Sequence, residues 1–146
     1  MKVKQLSLFL ENQPGSLSRP VKLLAKAKVN ILTLSLADTQ QFGILRLIVQ
    51  DWEKAMKLLA KNGFVVKVTD MVAIEVSDAP GGLSDILAAL EKTHVNLEYM
   101  YGFTVRKERK GLLVFRFDDP DRAIEALQKK KINPVRSVEL FRQVSE

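Results

Sequence analysis

The chain has no cysteine. That absence excludes a disulfide framework, a thiolate-held metal and a cysteine nucleophile, and leaves packed apolar surface to carry the fold. It has a single histidine, His94, with no carboxylate in a pairing position nearby in sequence. No glycine-rich phosphate loop and no cluster of metal-ligand residues occurs either. No enzymatic activity, cofactor or metal is therefore expected. No apolar run approaches the roughly 20 residues that cross a bilayer. The opening MKVKQLSLFLENQPG reaches a polar turn after a short, broken apolar stretch, so a cytoplasmic location and no membrane partner are expected.

What is present is an ordinary globular composition, 47% hydrophobic and 27% charged over 146 residues. The formal net charge of +6 raises the question of nucleic acid. Residues 1–70 hold eleven Lys/Arg against five Asp/Glu, and residues 71–146 hold twelve of each. The excess thus belongs to the first half, where it is spread as single lysines such as Lys22, Lys26, Lys54, Lys57 and Lys61. That spacing reads as a wet helical face, not a groove for nucleic acid.

An internal repeat organises the sequence. Asn12-Gln13-Pro14-Gly15-Ser16-Leu17 aligns with Asp78-Ala79-Pro80-Gly81-Gly82-Leu83, and at the same offset Val29-Asn30-Ile31 aligns with Val95-Asn96-Leu97. Further along, Gly43 aligns with Gly111 and Asp51 with Asp119, at an offset larger by two. Two residues were inserted between these blocks, as a hairpin tip tolerates.

Within each copy the hydrophobic period changes in the same order. Leu6, Leu8 and Leu10, like Val72, Ile74 and Val76, alternate as in a strand that stops at Pro-Gly. Leu17, Val21 and Leu24, like Leu83, Ile86, Leu87 and Leu90, then recur at helical spacing. Pro20 falls early in the first of these helices, where it costs least. A second strand follows, on Leu32, Leu34 and Leu36 or on Leu97, Tyr99, Tyr101, Phe103 and Val105. After a loop at 38–42 or 106–110 comes a third strand, 43–49 or 111–117. A second helix is capped by Asp51 or Asp119, with Pro120 at the favoured first position. A last strand is expected at 65–69 and at 135–140. Each half therefore reads β-α-β-β-α-β. The fold expected is α+β, two tandem ferredoxin-like units at 1–70 and 71–146, each a four-stranded antiparallel sheet with both helices on one face.

These residues resemble a known family. A strand ending in a polar residue, x-Pro-Gly-x-Leu opening a helix, and Val-Asn-Ile at the second strand are similar to the ACT domain, a regulatory module of amino-acid metabolism. Here the pattern occurs twice over nearly the whole chain. The resemblance implies a sensor that binds a small effector, typically an amino acid, where paired domains meet. It also implies a homodimer and an enzyme or regulator of amino-acid metabolism as partner, acted on in trans. It places the ligand against the corner of one copy, Asn12, Pro14, Gly15, Ser16 and Leu17 or Asp78, Pro80, Gly81, Gly82 and Leu83, with the facing wall from the start of strand two in the neighbouring copy, Asn30 and Ile31 or Asn96 and Leu97. The chemistry is reasonable. Glycine lets backbone amides approach a ligand, the helix N-terminus favours a carboxylate, and Asn12 or Asp78 offers an acceptor to an ammonium group. Because Asp78 and Gly82 stand where the first copy has Asn12 and Ser16, two such sites are expected to differ in affinity and selectivity.

Structural readings stand beside these. Pro-Gly is a common strand-to-helix turn, and an Asn before a strand forms turns readily. His94 reads as the end of a helix, Tyr99, Tyr101 and Phe103 as one face of a sheet, and Trp52 as packing or an interface anchor. Arg106 to Lys110 reads as a charged hairpin tip. The alternatives in function are a ligand-free protein interaction module of the same fold and an RNA-binding domain. The RNA reading has the right topology, but Leu112 and Val114 stand where that family stacks bases on aromatic rings.

Overall fold

The computed structural model describes residues 1–107 and 110–145. The described residues form six strands, β1 (Lys2–Glu11), β2 (Ile31–Asp38), β3 (Phe42–Val49), β4 (Val66–Ser77), β5 (Leu97–Lys107) and β6 (Lys110–Phe117). Its helices are α1 (Ser18–Lys26), α2 (Trp52–Lys61), α3 (Gly82–Leu90), α4 (Pro120–Lys129) and α5 (Ser137–Ser145). The architecture is α+β, two tandem ferredoxin-like units. The compact units are Lys4–Thr69, and Met1–Val3 together with Asp70–Glu146.

In the first unit the strand order is β2-β3-β1, all antiparallel. Period-two alternation puts Leu6, Leu8 and Leu10 of β1 on the face shared with Leu45, Leu47 and Val49 of β3. Leu24 of α1 and Ala55 and Leu59 of α2 close the core over that face. Val66 and Val68, at the start of β4, pack against the same core. Asp51 caps α2 by accepting from Lys54 N–H at 3.1 Å. The α1 end is closed by Lys28 at φ 57°, and the α2 end by Gly63 at φ 87°.

The second unit repeats the plan with the order β4-β6-β5. Val72, Ile74, Val76, Phe115 and Phe117 meet Ile86 and Leu90 of α3 and Ala123, Ile124 and Leu127 of α4. Phe115 and Phe117, two residues apart on one strand face, stack at 5.8 Å. Asp119 caps α4 by accepting from Arg122 N–H at 3.0 Å. His94 adopts φ 59°, ending the 3-10 turn Glu91–Thr93, where the first copy has Lys28. Tyr99 and Tyr101 lie opposite Arg116 and Val114, on the sheet face away from this core.

Three expectations are corrected. The last strand of the second copy, expected at 135–140, does not form. It is reduced to one hydrogen bond, Val135 N–H to Ala73 O at 2.8 Å, and α5 begins at Ser137. Pro134 has no N–H to continue a ladder. Arg136 N–H is taken by Glu139 Oε2 and Arg136 O by Leu140 N–H, so the chain turns into a helix. On β2 the expected inward row is broken by an irregularity between Ile31 and Thr33. Leu32 is buried, but Leu34 and Leu36 are 43% and 49% exposed on this outer strand. Phe42, expected in a loop, opens β3 and is half exposed. Part of the charged tip at 106–110 lies outside the described residues.

Candidate functional site

The first Pro-Gly corner is open. Beyond Glu11, Asn12 N–H donates to Gln41 O at 2.9 Å and Ser16 N–H to Gln13 O at 3.3 Å. Gly15 then takes φ 85°, a left-handed conformation that L side chains rarely adopt. A Cβ on Gly15 would meet nothing within 4 Å, so the backbone faces free space. Beside the corner lies a cavity of about 480 Å³. Pro14, Gly15 and Ser16 form one side of its lining, and Phe9, Glu11, Gln13, Arg19, Gly63 and Phe64 supply the chemistry.

Arg19 comes from the first turn of α1, four residues after Gly15, whose carbonyl accepts its N–H at 3.3 Å. Its guanidinium lies 4.8 Å from the centre of the Phe64 ring, and Nη2 donates to Asn62 O at 2.8 Å. The ring and the carbonyl together hold the fork in place. Glu11 closes the strand end, with one carboxylate oxygen accepting from Gln13 Nε2 at 2.6 Å. The cavity is thus lined by one cation, Arg19, one anion, Glu11, and the apolar Leu10 and Phe64.

Of the other expected residues in this copy, Leu17 and Ile31 pack against the core and Asn12 is exposed beside the cavity. Asn30, expected to face the corner of the neighbouring copy, is far from the corner of its own. The corner follows Glu11, which pairs with Phe42 at one end of β3, whereas Ile31 pairs with Val49 at its other end. At about 3.3 Å per residue the two ends lie roughly 23 Å apart. Asn30 instead lines a separate hollow of about 500 Å³ with Lys28, Gln50 and Trp52.

The second corner differs. Gly81 has φ 93° and open space beside it, but a Cβ on Gly82 would lie 2.2 Å from Ser77 O. Helix α3 accordingly starts at Gly82 itself, whereas α1 waits until Ser18, the equivalent of Ser84. Pro80 and Asp78 are exposed at this turn. Leu83 and Leu97 pack against the second core. Asn96 is fastened by its backbone, its N–H to Asp118 Oδ1 at 2.9 Å and its carbonyl to Asp118 N–H at 3.1 Å.

The residues that sequence reasoning missed are Phe9, Glu11, Arg19, Gly63 and Phe64. Phe9 on a strand face and Arg19 in a first helical turn carry no motif, and Phe64 is remote from Arg19 in the sequence. Among the described residues no group of His, Asp and Glu is placed to hold a metal ion, and no helix is long and apolar enough to cross a membrane.

Comparison with known proteins agrees with this architecture. A family model described as an ACT domain pair matches residues 1–144. A protein of Bacteroides thetaiotaomicron with a crystal structure is 40% identical, with a TM-score of 0.89 over 97% of this chain and 96% of its own. The acetolactate synthase small subunit of Buchnera aphidicola subsp. Baizongia pistaciae is 35% identical over 77 residues, which are 49% of this chain and 48% of that protein. The match thus spans about half the length of that curated relative. The ligand-free regulatory subunit of aspartate kinase from Thermus thermophilus shares the fold at a TM-score of 0.62 and 16% identity, over 86% of this chain and 91% of its own.

Proposed function

We propose that this chain, which belongs to the ACT domain pair family, is a non-catalytic regulatory protein that binds a free amino acid at its first corner and acts on a partner protein in trans. The observation that carries this reading is the make-up of the corner cavity. Glu11 suits an α-ammonium group, and Arg19 suits an α-carboxylate as a charge-assisted, fork-shaped donor. Leu10 and Phe64 give the rest of the ligand an apolar wall. The name of the acetolactate synthase relative points the partner towards an enzyme of amino-acid synthesis. Regulation then requires that the ligand bind one conformational state of the assembly more tightly than another.

The test is a thermal-shift screen of the intact protein against the twenty standard amino acids. A ligand that binds the folded state alone stabilises it by about 2.7 kcal/mol at a hundred times its Kd, so at least one amino acid is expected to raise Tm. Gly15→Val, which puts a β-branched side chain at φ 85°, is expected to remove that response. No shift across the whole panel rejects the reading. One observation favours a second reading, an interaction module: Leu34, Leu36 and Phe42 of the first unit are 43%, 49% and 50% exposed, and apolar surface of this kind marks contact sites. That reading requires the panel to be silent.

A further inference from the structure

Resting on the ligand-binding reading above, we infer that only the first copy holds a ligand, and that the ligand is a neutral amino acid with an apolar or aromatic side chain. The two copies match in local geometry at equivalent positions. Gly15 and Gly81 share the left-handed conformation, and so do Lys28 and His94. After the second helix of each copy, Phe64 N–H donates to Leu59 O and Ile132 N–H to Leu127 O, at 3.1 and 3.0 Å. The backbone therefore pairs Gly15 with Gly81 at the corner and Phe64 with Ile132 after the second helix, the same two offsets that the sequence repeat shows.

On that alignment the charged and aromatic residues of the cavity have no like counterparts. Phe9, Glu11, Arg19 and Phe64 are replaced in the second copy by Glu75, Ser77, Asp85 and Ile132. The decisive exchange is Arg19 for Asp85. A bound carboxylate at the first corner meets a guanidinium, and at the second it would meet Asp85 in the first turn of α3. Like charges at that range repel a carboxylate as strongly as opposite charges hold it. Sterics act in the same direction. Helix α3 starts two residues earlier than α1, and the closeness of Gly82 to Ser77 O brings that helix start onto the strand end, where the first copy keeps a longer turn.

The ligand class follows from a count of charges. Arg19 and Glu11 are the charged side chains lining the cavity, and the zwitterionic head of an amino acid occupies both. An acidic ligand side chain would need a second cation and a basic one a second anion. The remaining wall is the Leu10 side chain on the helix-covered face of β1 and the half-buried ring of Phe64, which favour an apolar group.

Isothermal titration of the intact protein with L-leucine, L-phenylalanine, L-glutamate and L-lysine tests this. Leucine or phenylalanine is expected to bind with one site per chain and at least tenfold more tightly than glutamate or lysine. Glu11→Gln and Arg19→Gln should each weaken binding by about 10- to 100-fold, as loss of a hydrogen bond to a charged group does. Asp85→Asn should leave it unchanged. Two sites per chain, a preference for glutamate or lysine, or loss of binding on Asp78→Asn with Glu11→Gln unaffected would overturn the inference while leaving amino-acid binding intact. Silence from all four probes overturns it too, and only silence from all twenty amino acids removes the ligand-binding reading as well.

Discussion

Gly81 and Gly82 are neighbours in the chain, yet the structure needs them for different reasons. Gly81 supplies φ 93° with open space around it, and Gly82 lets the backbone pass within reach of the Ser77 carbonyl, where a Cβ would sit at 2.2 Å. A backbone oxygen cannot swing aside as a side-chain tip does. Gly82→Ala is therefore expected to cost about 1–3 kcal/mol through forced displacement of the helix start, and Gly81→Ala roughly 1–2 kcal/mol through the left-handed backbone alone. Urea unfolding of the two variants, together with NMR or crystallography of the corner, checks the distinction. A Gly82→Ala protein with unchanged stability and backbone would refute it. The sequence marks both positions as a turn but does not say which one is crowded, because the crowding comes from Ser77, five residues upstream. For the same reason Arg19 and Phe64 are not legible in it: their partnership exists only once α1 and the end of α2 are side by side.

At the scale of the element, the features that depend on near neighbours are legible. Asp51 and Asp119 can be read as caps because an N-cap needs only an acceptor three residues before the amide it serves. Each does accept from that amide, Lys54 or Arg122. Asp51→Ala and Asp119→Ala are each expected to lose about 1 kcal/mol, measured by chemical denaturation. A near-zero effect at either would mean that the packed face of the helix makes its cap redundant. Residues 135–140 read as a strand because a short apolar run, Val135, Val138 and Leu140, fits either period. The local signal that decides it is the glutamate at 139, which reaches back to Arg136 N–H as the reciprocal half of a capping box does. On β2 the irregularity beside Ile31 and the outer position of the strand are tertiary facts, and no local pattern announces that Leu34 and Leu36 are exposed.

At the scale of the molecule, the chain begins in its second unit, to which Met1–Val3 belong with Asp70–Glu146. Val3 is 1% exposed, and Gln128 Nε2 donates to Met1 Sδ at 3.4 Å. Lys2 Nζ donates to Asp121 Oδ2 at 2.9 Å across 119 residues of sequence. That hydrogen bond, more than the wider charge of Asp121, Asp70 and Asp119, raises the Lys2 pKa above its ordinary 10.5. A raised lysine pKa contributes stability that is complete below the unfolded value and is lost as pH climbs through the folded one. The gap in urea midpoint between the unaltered protein and Asp121→Asn should therefore be constant through neutral pH and close only above 10.5. The pair is exposed, so the gap is small. Burial of Val3 is the larger effect. Val3→Ala removes two methyl groups at about 0.8 kcal/mol each, a cost of roughly 1.6 kcal/mol that falls on the second unit. The chain carries its own reporters for this. Trp52, the one tryptophan, lies in the first unit, and Tyr99 and Tyr101, the two tyrosines, lie in the second. In Val3→Ala the urea midpoint followed by tyrosine fluorescence is expected to fall further than the midpoint followed by tryptophan. Equal falls in both signals would show that the first three residues do not belong energetically to the second unit alone.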